Sequence, residues 1–133
     1  MSIFLTKQKI IKDWTDYNGH MNVAYYVLIF DQFGSEVLLT NFDMGERSAK
    51  TTKKSTMVVE SHITYDQEVK EGDEVDVNLI YCDHDKKRIQ YKLEMIHAEK
   101  TAQETADYPI DSARLFLNQI RLILDKEEPD YIN

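Results

Sequence analysis

The sequence predicts an α+β fold: a curved antiparallel sheet of about five strands wrapped around one long central helix, with a short helix near the C-terminal end. Three observations predict it. First, Val23-Ala24-Tyr25-Tyr26-Val27-Leu28-Ile29-Phe30 is unbroken apolar sequence. A helix made of it is apolar on every side and must be covered, not laid on a surface by one stripe. Second, the period changes to two further along. Val75, Val77, Leu79 and Tyr81, then Ile89, Tyr91, Leu93 and Met95, occupy alternate positions, the signature of half-buried strands. Third, Glu71-Gly72-Asp73 and Asp83-His84-Asp85-Lys86 punctuate those runs as turns. A sheet with one apolar face and a helix needing cover satisfy each other.

The elements follow in order. Residues 3–14 mix β-branched residues with Lys and Gln and read as a first strand. A turn spans 16–22. A helix spans 22–40 with Asn22 as N-cap, and Ala24, Val27, Leu28 and Phe30 are expected to be buried. Its later turns carry Asp31, Gln32, Ser35 and Glu36 and lie nearer water or an interface. Gly34 costs about 1 kcal/mol inside a helix, which a close approach to another backbone would explain. Residues 41–56 are polar and read as a connection or lid. Val59, Ser61, Ile63 and Tyr65 alternate with Val58, Glu60, His62 and Thr64 as the second strand. A last strand is expected over 98–110, ending at Pro109. A helix is expected over 114–124, with Leu115, Phe116, Ile120, Ile123 and Leu124 on its apolar face. No repeat or linker divides the chain, so residues 1–133 form a single domain.

Composition narrows the function. The net charge of −8 argues against a general nucleic-acid binder, which needs a basic face. One cysteine, Cys82, provides no disulfide framework. The apolar run ends at Asp31, short of a membrane span. No leader is visible and a cytoplasmic protein is expected. His20, His62, His84 and His97 are isolated in sequence, so no metal site is expected. Gly34-Ser35 lacks the glycines of a serine-hydrolase elbow, and no Gly-rich phosphate loop is present. Cys82 beside Asp83 and His84 reads as structural, because catalytic partners converge in space and not along a strand end.

The segment Asp16-Tyr17-Asn18-Gly19-His20-Met21-Asn22 carries the chemistry. It sets a carboxylate and a Gly-containing turn directly before a helix. The helix start offers unpaired N–H groups and a partial positive charge. Those groups can receive a carbonyl oxygen while the carboxylate aims water, or itself, at the carbon. Asp16 also reads as an ordinary capping or turn residue, Gly19 as a residue of positive φ, and Asn22 as a cap or a group that positions the reacting carbonyl. Glu60, His62 and Thr64 share one strand face, either solvent or a subunit boundary lining the site. Arg47, Lys50, Lys53 and Lys54 stand out in an acidic chain, as do Lys86, Lys87 and Arg88.

These motifs together resemble the hotdog fold and its 4-hydroxybenzoyl-CoA thioesterase-like branch. Asp16-x-x-Gly19-His20-x-Asn22 resembles that branch's entry to the central helix, and Tyr25-Tyr26 stands where it carries aromatics. Glu60-Ser61-His62-Ile63-Thr64-Tyr65 with Glu68 to Asp73, the hairpin from Tyr81 to Arg88, and Met95-Ile96-His97-Ala98 resemble its later strands. Within the branch the chain most resembles betainyl-CoA thioesterase domains joined to carnitine dehydrogenases. It departs from them over 101–111, where Pro109 stands and their usual His is absent.

The resemblance implies an acyl-CoA thioesterase that needs no cofactor. Asp16 would be the catalytic carboxylate, as general base or as nucleophile. The Val23 N–H would be the oxyanion donor, with Gly19 and His20 shaping the turn, and Asn22 beside it. Glu60, then His62, would supply a second polar group. The acyl group would sit against Tyr25, Tyr26 and Phe30, and the CoA phosphates against Arg47, Lys50, Lys53 and Lys54, with Lys86, Lys87 and Arg88 next in line. A homodimer or homotetramer is implied, with two sheets joining and the site between subunits. The alternatives are a thioesterase acting on acyl carriers, a non-catalytic acyl-thioester binder, a dehydratase of the same fold and an interaction protein.

Overall fold

The computed structural model describes residues 2–97, 111–123 and 130–131. Strand β1 (Ile3–Lys9) leads through a 3₁₀ turn (Lys12–Trp14) and the Asp16 turn into the central helix. That helix comprises α1 (Val23–Ile29), a π-helical segment (Phe30–Ser35) and α2 (Glu36–Thr40). Helix α3 (Glu46–Thr52) follows, then β2 (Lys54–Tyr65), β3 (Glu74–His84), β4 (Arg88–His97), β5 (Asp111–Ile123) and the short β6 (Asp130–Tyr131). The strand order is β1-β3-β4-β5-β2, with β6 on β5, and every pairing is antiparallel. Among the described residues both β1 and β2 are edge strands.

The core lies where the sheet meets one side of the helix. Val75, Val77, Leu79, Ile89, Tyr91, Leu93 and Met95 are buried, as the alternation predicts. Tyr26, Ile29 and Phe30, within one turn of each other, and Leu38 and Leu39 further along are the helix residues of this core. Gly34 lets the sheet close in here: a Cβ would stand 3.0 Å from Leu93 Cδ1 and 3.1 Å from Val77 Cγ1. The close approach is therefore to sheet side chains, not to a second backbone. Next to it Ser35 is buried, and the Tyr91 hydroxyl donates to its Oγ at 2.8 Å. Burial raises the Tyr91 phenol far above its ordinary pKa.

Several expectations are corrected. Of the four helix residues expected inside, only Phe30 is buried; Ala24, Val27 and Leu28 are exposed. The sheet covers one side of the helix, and these three, with Val23, lie on the other. Of the helix expected over 114–124, residues 114–123 belong to strand β5, and 124 lies outside the described residues. That strand fills the place between β4 and β2, pairing Leu115 with both Leu93 and Ile63. Two strand edges starved of hydrogen bonds outweigh a helical apolar pattern. Strand β1 ends at Lys9, short of Trp14. The connection over 41–56 contains α3 and the start of β2. A bulge between Leu79 and Tyr81 turns Tyr81 outward, beneath the Lys92 ammonium, and Cys82 takes the inward place. The strand expected over 98–110 lies outside the described residues. Among the described residues no helix is long and apolar enough to cross a membrane.

Candidate functional site

The Asp16 turn is held from both sides. On one side Thr15 and Met21 form an antiparallel bridge, and the Asn22 N–H donates to Trp14 O at 2.9 Å. On the other, the turn is laced to the β2–β3 connection: Met21 N–H donates to Val69 O at 2.7 Å and Glu71 N–H to Gly19 O at 3.0 Å. Gly19 has φ +78°, the left-handed region that only glycine enters freely. A Cβ there would meet nothing within 4 Å, so the requirement is conformational.

Within this frame Asp16 Oδ1 accepts from Asn18 N–H at 2.8 Å and His20 N–H at 3.2 Å. The carboxylate is exposed, and Oδ2 has no hydrogen bond among the described residues. Asp16 is thus a turn residue with one oxygen to spare, and its two readings coexist. Asn22 is the N-cap of α1: its side chain accepts from Ala24 N–H at 2.9 Å. The cap takes the Ala24 donor and leaves the Val23 N–H without an acceptor among the described residues. His20 is half-buried, its Nε2 3.5 Å from Glu68 Oε2.

The two tyrosines separate. Tyr26 is buried and its hydroxyl works in both directions: it donates to Gln67 O and accepts from Val69 N–H, each at 3.2 Å. Its ring meets Tyr65 edge-on at 5.3 Å. Burial raises its pKa. Tyr26 therefore braces the same β2–β3 connection that holds the Asp16 turn. Tyr25 is half-buried and stacks on Trp14 at 6.1 Å, and Trp14 meets Phe33 at 6.3 Å. Trp14 and Phe33 were not singled out in the sequence. Trp14's place two residues before Asp16 was the one local signal; Phe33's role depends on the π-helical turn.

Glu60 and His62 are exposed on the outer face of β2, opposite Ile63, which packs on the core. A bulge between Val58 and Glu60 sets that alternation. Among the described residues no hydrogen bond or ion pair joins Glu60 or His62 to the Asp16 turn. The basic stretch also divides. Arg47 and Lys50 line a cleft of about 800 Å³ between α3 and the central helix. Lys53 is the left-handed C-cap of α3, with φ 60°, and Lys54 opens β2. Among the described residues no cluster of His, Cys, Asp and Glu could hold a metal ion.

A helix start with a spare N–H, entered from a turn that fixes a carboxylate, can accept a carbonyl oxygen and deliver a base to its carbon. The chain is 31% identical over 80 residues to the betainyl-CoA thioesterase of Pseudomonas aeruginosa PAO1. The match covers 60% of this chain and 50% of the relative, so the chain spans about half the length of the curated relative it matches. Among solved structures, a candidate thioesterase of Pseudomonas putida KT2440 is 25% identical with TM-score 0.68, covering 90% of this chain and 72% of that one. A Staphylococcus aureus protein in complex with CoA is 20% identical with TM-score 0.74, covering 100% and 78%. A 4-hydroxybenzoyl-CoA thioesterase variant bound to 4-hydroxybenzoyl-CoA shares the fold at TM-score 0.77 and 12% identity, covering 98% and 91%. The sequence model of the thioesterase-like superfamily matches residues 11–113, and the chain belongs to that superfamily.

Proposed function

We propose that this chain is an acyl-CoA thioesterase: acyl-CoA and water give a carboxylic acid and CoA. The observation that carries the reading is the Asp16 carboxylate, pinned through Oδ1 in the turn that leads into the unpaired Val23 N–H. Asp16 Oδ2 takes a proton from water as the water oxygen attacks the thioester carbon. The carbonyl oxygen gains negative charge facing the Val23 N–H, and CoA leaves as a thiolate. Alternatively, Asp16 attacks the carbon itself, and water hydrolyses the resulting mixed anhydride. Gly19 and His20 hold the turn, and Asn22 holds the helix start. Tyr25 lines the acyl side, with Tyr26 and Phe30 behind it. No cofactor takes part, and the working place is the cytoplasm.

The active form is a homodimer or homotetramer. Its support is exposed apolar surface: Val23, Val27 and Leu28 on the helix, and Met57, Val58 and Val59 on the edge strand β2. A long apolar edge strand invites pairing with another strand. Two β2 strands joined edge to edge would bring Glu60 and His62 to the subunit boundary, where a second polar group for the reaction would come from. Nucleic acid and membrane are not partners.

A panel of short, branched, aromatic and cationic acyl-CoAs, betainyl-CoA among them, read by thiol release, tests the reading. Turnover of at least one member is expected. Thioester binding without thiol release from any member, while acyl-carrier thioesters are hydrolysed, would overturn it in favour of a carrier-linked enzyme.

A further inference from the structure

His97 is a buried titratable side chain that the proposed reaction leaves unused. It ends β4, the middle strand of the sheet, opposite Val75, and is 2% exposed. A buried imidazole needs a polar neighbour, and Nε2 stands 2.8 Å from Asp73 Oδ2. Asp73 is the residue before β3, at the end of the β2–β3 connection. The same Oδ2 accepts from Lys70 N–H at 2.9 Å. One carboxylate oxygen thus joins the middle of the sheet to the backbone of the tight turn 70–73. In that turn Gly72 has φ +87°, and Asp73 N–H donates to Lys70 O at 3.0 Å. Gly72 N–H donates to Ile10 O and Ile10 N–H to Asp73 O, each at 2.8 Å.

The far side of this turn holds Asp16. Lys70 and His20 form an antiparallel bridge, flanked by the Met21–Val69 and Glu71–Gly19 hydrogen bonds. His20 in turn is bound to Asp16 twice: Asp16 N–H donates to His20 O at 2.9 Å, and Asp16 Oδ1 accepts from His20 N–H at 3.2 Å. The path from the imidazole to the Asp16 carboxylate is therefore unbroken, through Asp73, Lys70 and His20. Tyr26 grips the earlier part of the same connection, at Gln67 and Val69; His97 grips its end. We infer that His97 is a positioning residue for thioester hydrolysis, acting through Asp73 to fix the 70–73 turn and with it the place of Asp16 Oδ2 relative to the Val23 N–H. The inference rests on the acyl-CoA reading above. The Asp73 side chain is a quarter exposed, so without the imidazole its carboxylate turns to water and releases the Lys70 N–H. The Asp16 turn then loses its rigid backing, and a displacement of about 1 Å at a reacting group costs up to about a hundredfold in rate.

The test compares His97→Leu, which removes the Nε2 contact at similar size, with His97→Gln, whose amide N–H stands where Nε2 does. The substrate is an acyl-CoA that the wild type hydrolyses, assayed well below each variant's melting temperature. His97→Leu should lose kcat by about ten- to a hundredfold with KM held, because the buried side chain has no surface to offer a substrate. His97→Gln should recover most of the rate. Asp73→Ala should match His97→Leu, and the double variant should be no slower than either, as for two residues acting through one contact. If His97→Leu fails to fold, Asp73→Ala, at a partly exposed residue, carries the same test. Hydrogen exchange on the full chain, read by mass spectrometry, should rise over 16–22 and 66–73 in His97→Leu and return in His97→Gln, with β3 unchanged. Wild-type kcat in the Leu and Ala variants of a working thioesterase would overturn the inference alone. So would a rate loss that Gln does not recover, or exchange that rises evenly over the whole sheet, either of which would leave His97 a core residue only. A wild type that releases thiol from no acyl-CoA would overturn the acyl-CoA reading and this inference with it.

Discussion

Replacing Asp16 by Asn separates the two roles that the structure gives this side chain. Oδ1 accepts two backbone N–H groups, from Asn18 and His20, and an Asn carbonyl oxygen in the same place accepts both. Asn is as good a turn residue as Asp. The fold should therefore lose less than about 0.5 kcal/mol. Asp16→Ala removes both acceptors and should cost about 0.5–2 kcal/mol, the range for losing a cap of this kind. The chemistry should respond in another order. Neither Asn nor Ala can take a proton from water or attack the thioester, so both should lose kcat by about two to four decades. That loss corresponds to roughly 2.7–5.5 kcal/mol of barrier. The assay is thiol release on a substrate the wild type hydrolyses, with thermal melts of all three proteins. Catalysis predicts that Asn and Ala fall together in rate and apart in stability. An Asn variant with wild-type turnover and an unchanged melt would refute the reasoning and leave Asp16 as a turn residue, with Glu60 and His62 next to be tried.

Light scattering at micromolar concentration should give at least a dimer mass, and Val59→Lys on the β2 edge should lower it; a wild-type monomer would count directly against a site shared between subunits. Tyr26→Phe strands the buried Val69 N–H and should cost about 1–3 kcal/mol in urea unfolding; an unchanged midpoint would contradict its bracing role. Burial raises the Tyr26 and Tyr91 phenols in the folded state. Above the ordinary tyrosine pKa of about 10 the unfolded chain ionises first, so it binds fewer protons than the folded one and stability falls as pH rises. Urea midpoints between pH 8 and 11 should decline from about pH 10, and Tyr91→Phe should flatten the decline; a midpoint level to pH 11 would refute this.

Much of the architecture was legible because strand alternation and helix entry are local signals. The rows Val75-Val77-Leu79 and Ile89-Tyr91-Leu93-Met95 read inward from spacing alone, save at Tyr81, where a bulge reversed the register. The Asn22 cap and the Gly19 turn were legible because each is a demand of one residue's own backbone. The 114–124 segment was misread because its apolar residues fit both periods. Only the vacancy between β4 and β2 selects the strand.

The site divides along the same line. Seven consecutive residues cannot lie far apart, so local order alone brings a carboxylate, a left-handed glycine and a capped helix start together. Packing selects which neighbours that group has. It turned Tyr26 inward to hold the β2–β3 connection, stacked Tyr25 on Trp14, and left Val27 and Leu28 bare on the side the sheet does not reach. It also set α3 on the Glu36 carboxylate, so that Arg47 and Lys50 face a cleft and Lys53 ends the helix instead. Those outcomes depend on contacts between residues far apart in the chain and on which face a continuous apolar helix presents to its sheet. A helix apolar on all sides carries no local mark of that choice; packing against the sheet makes it.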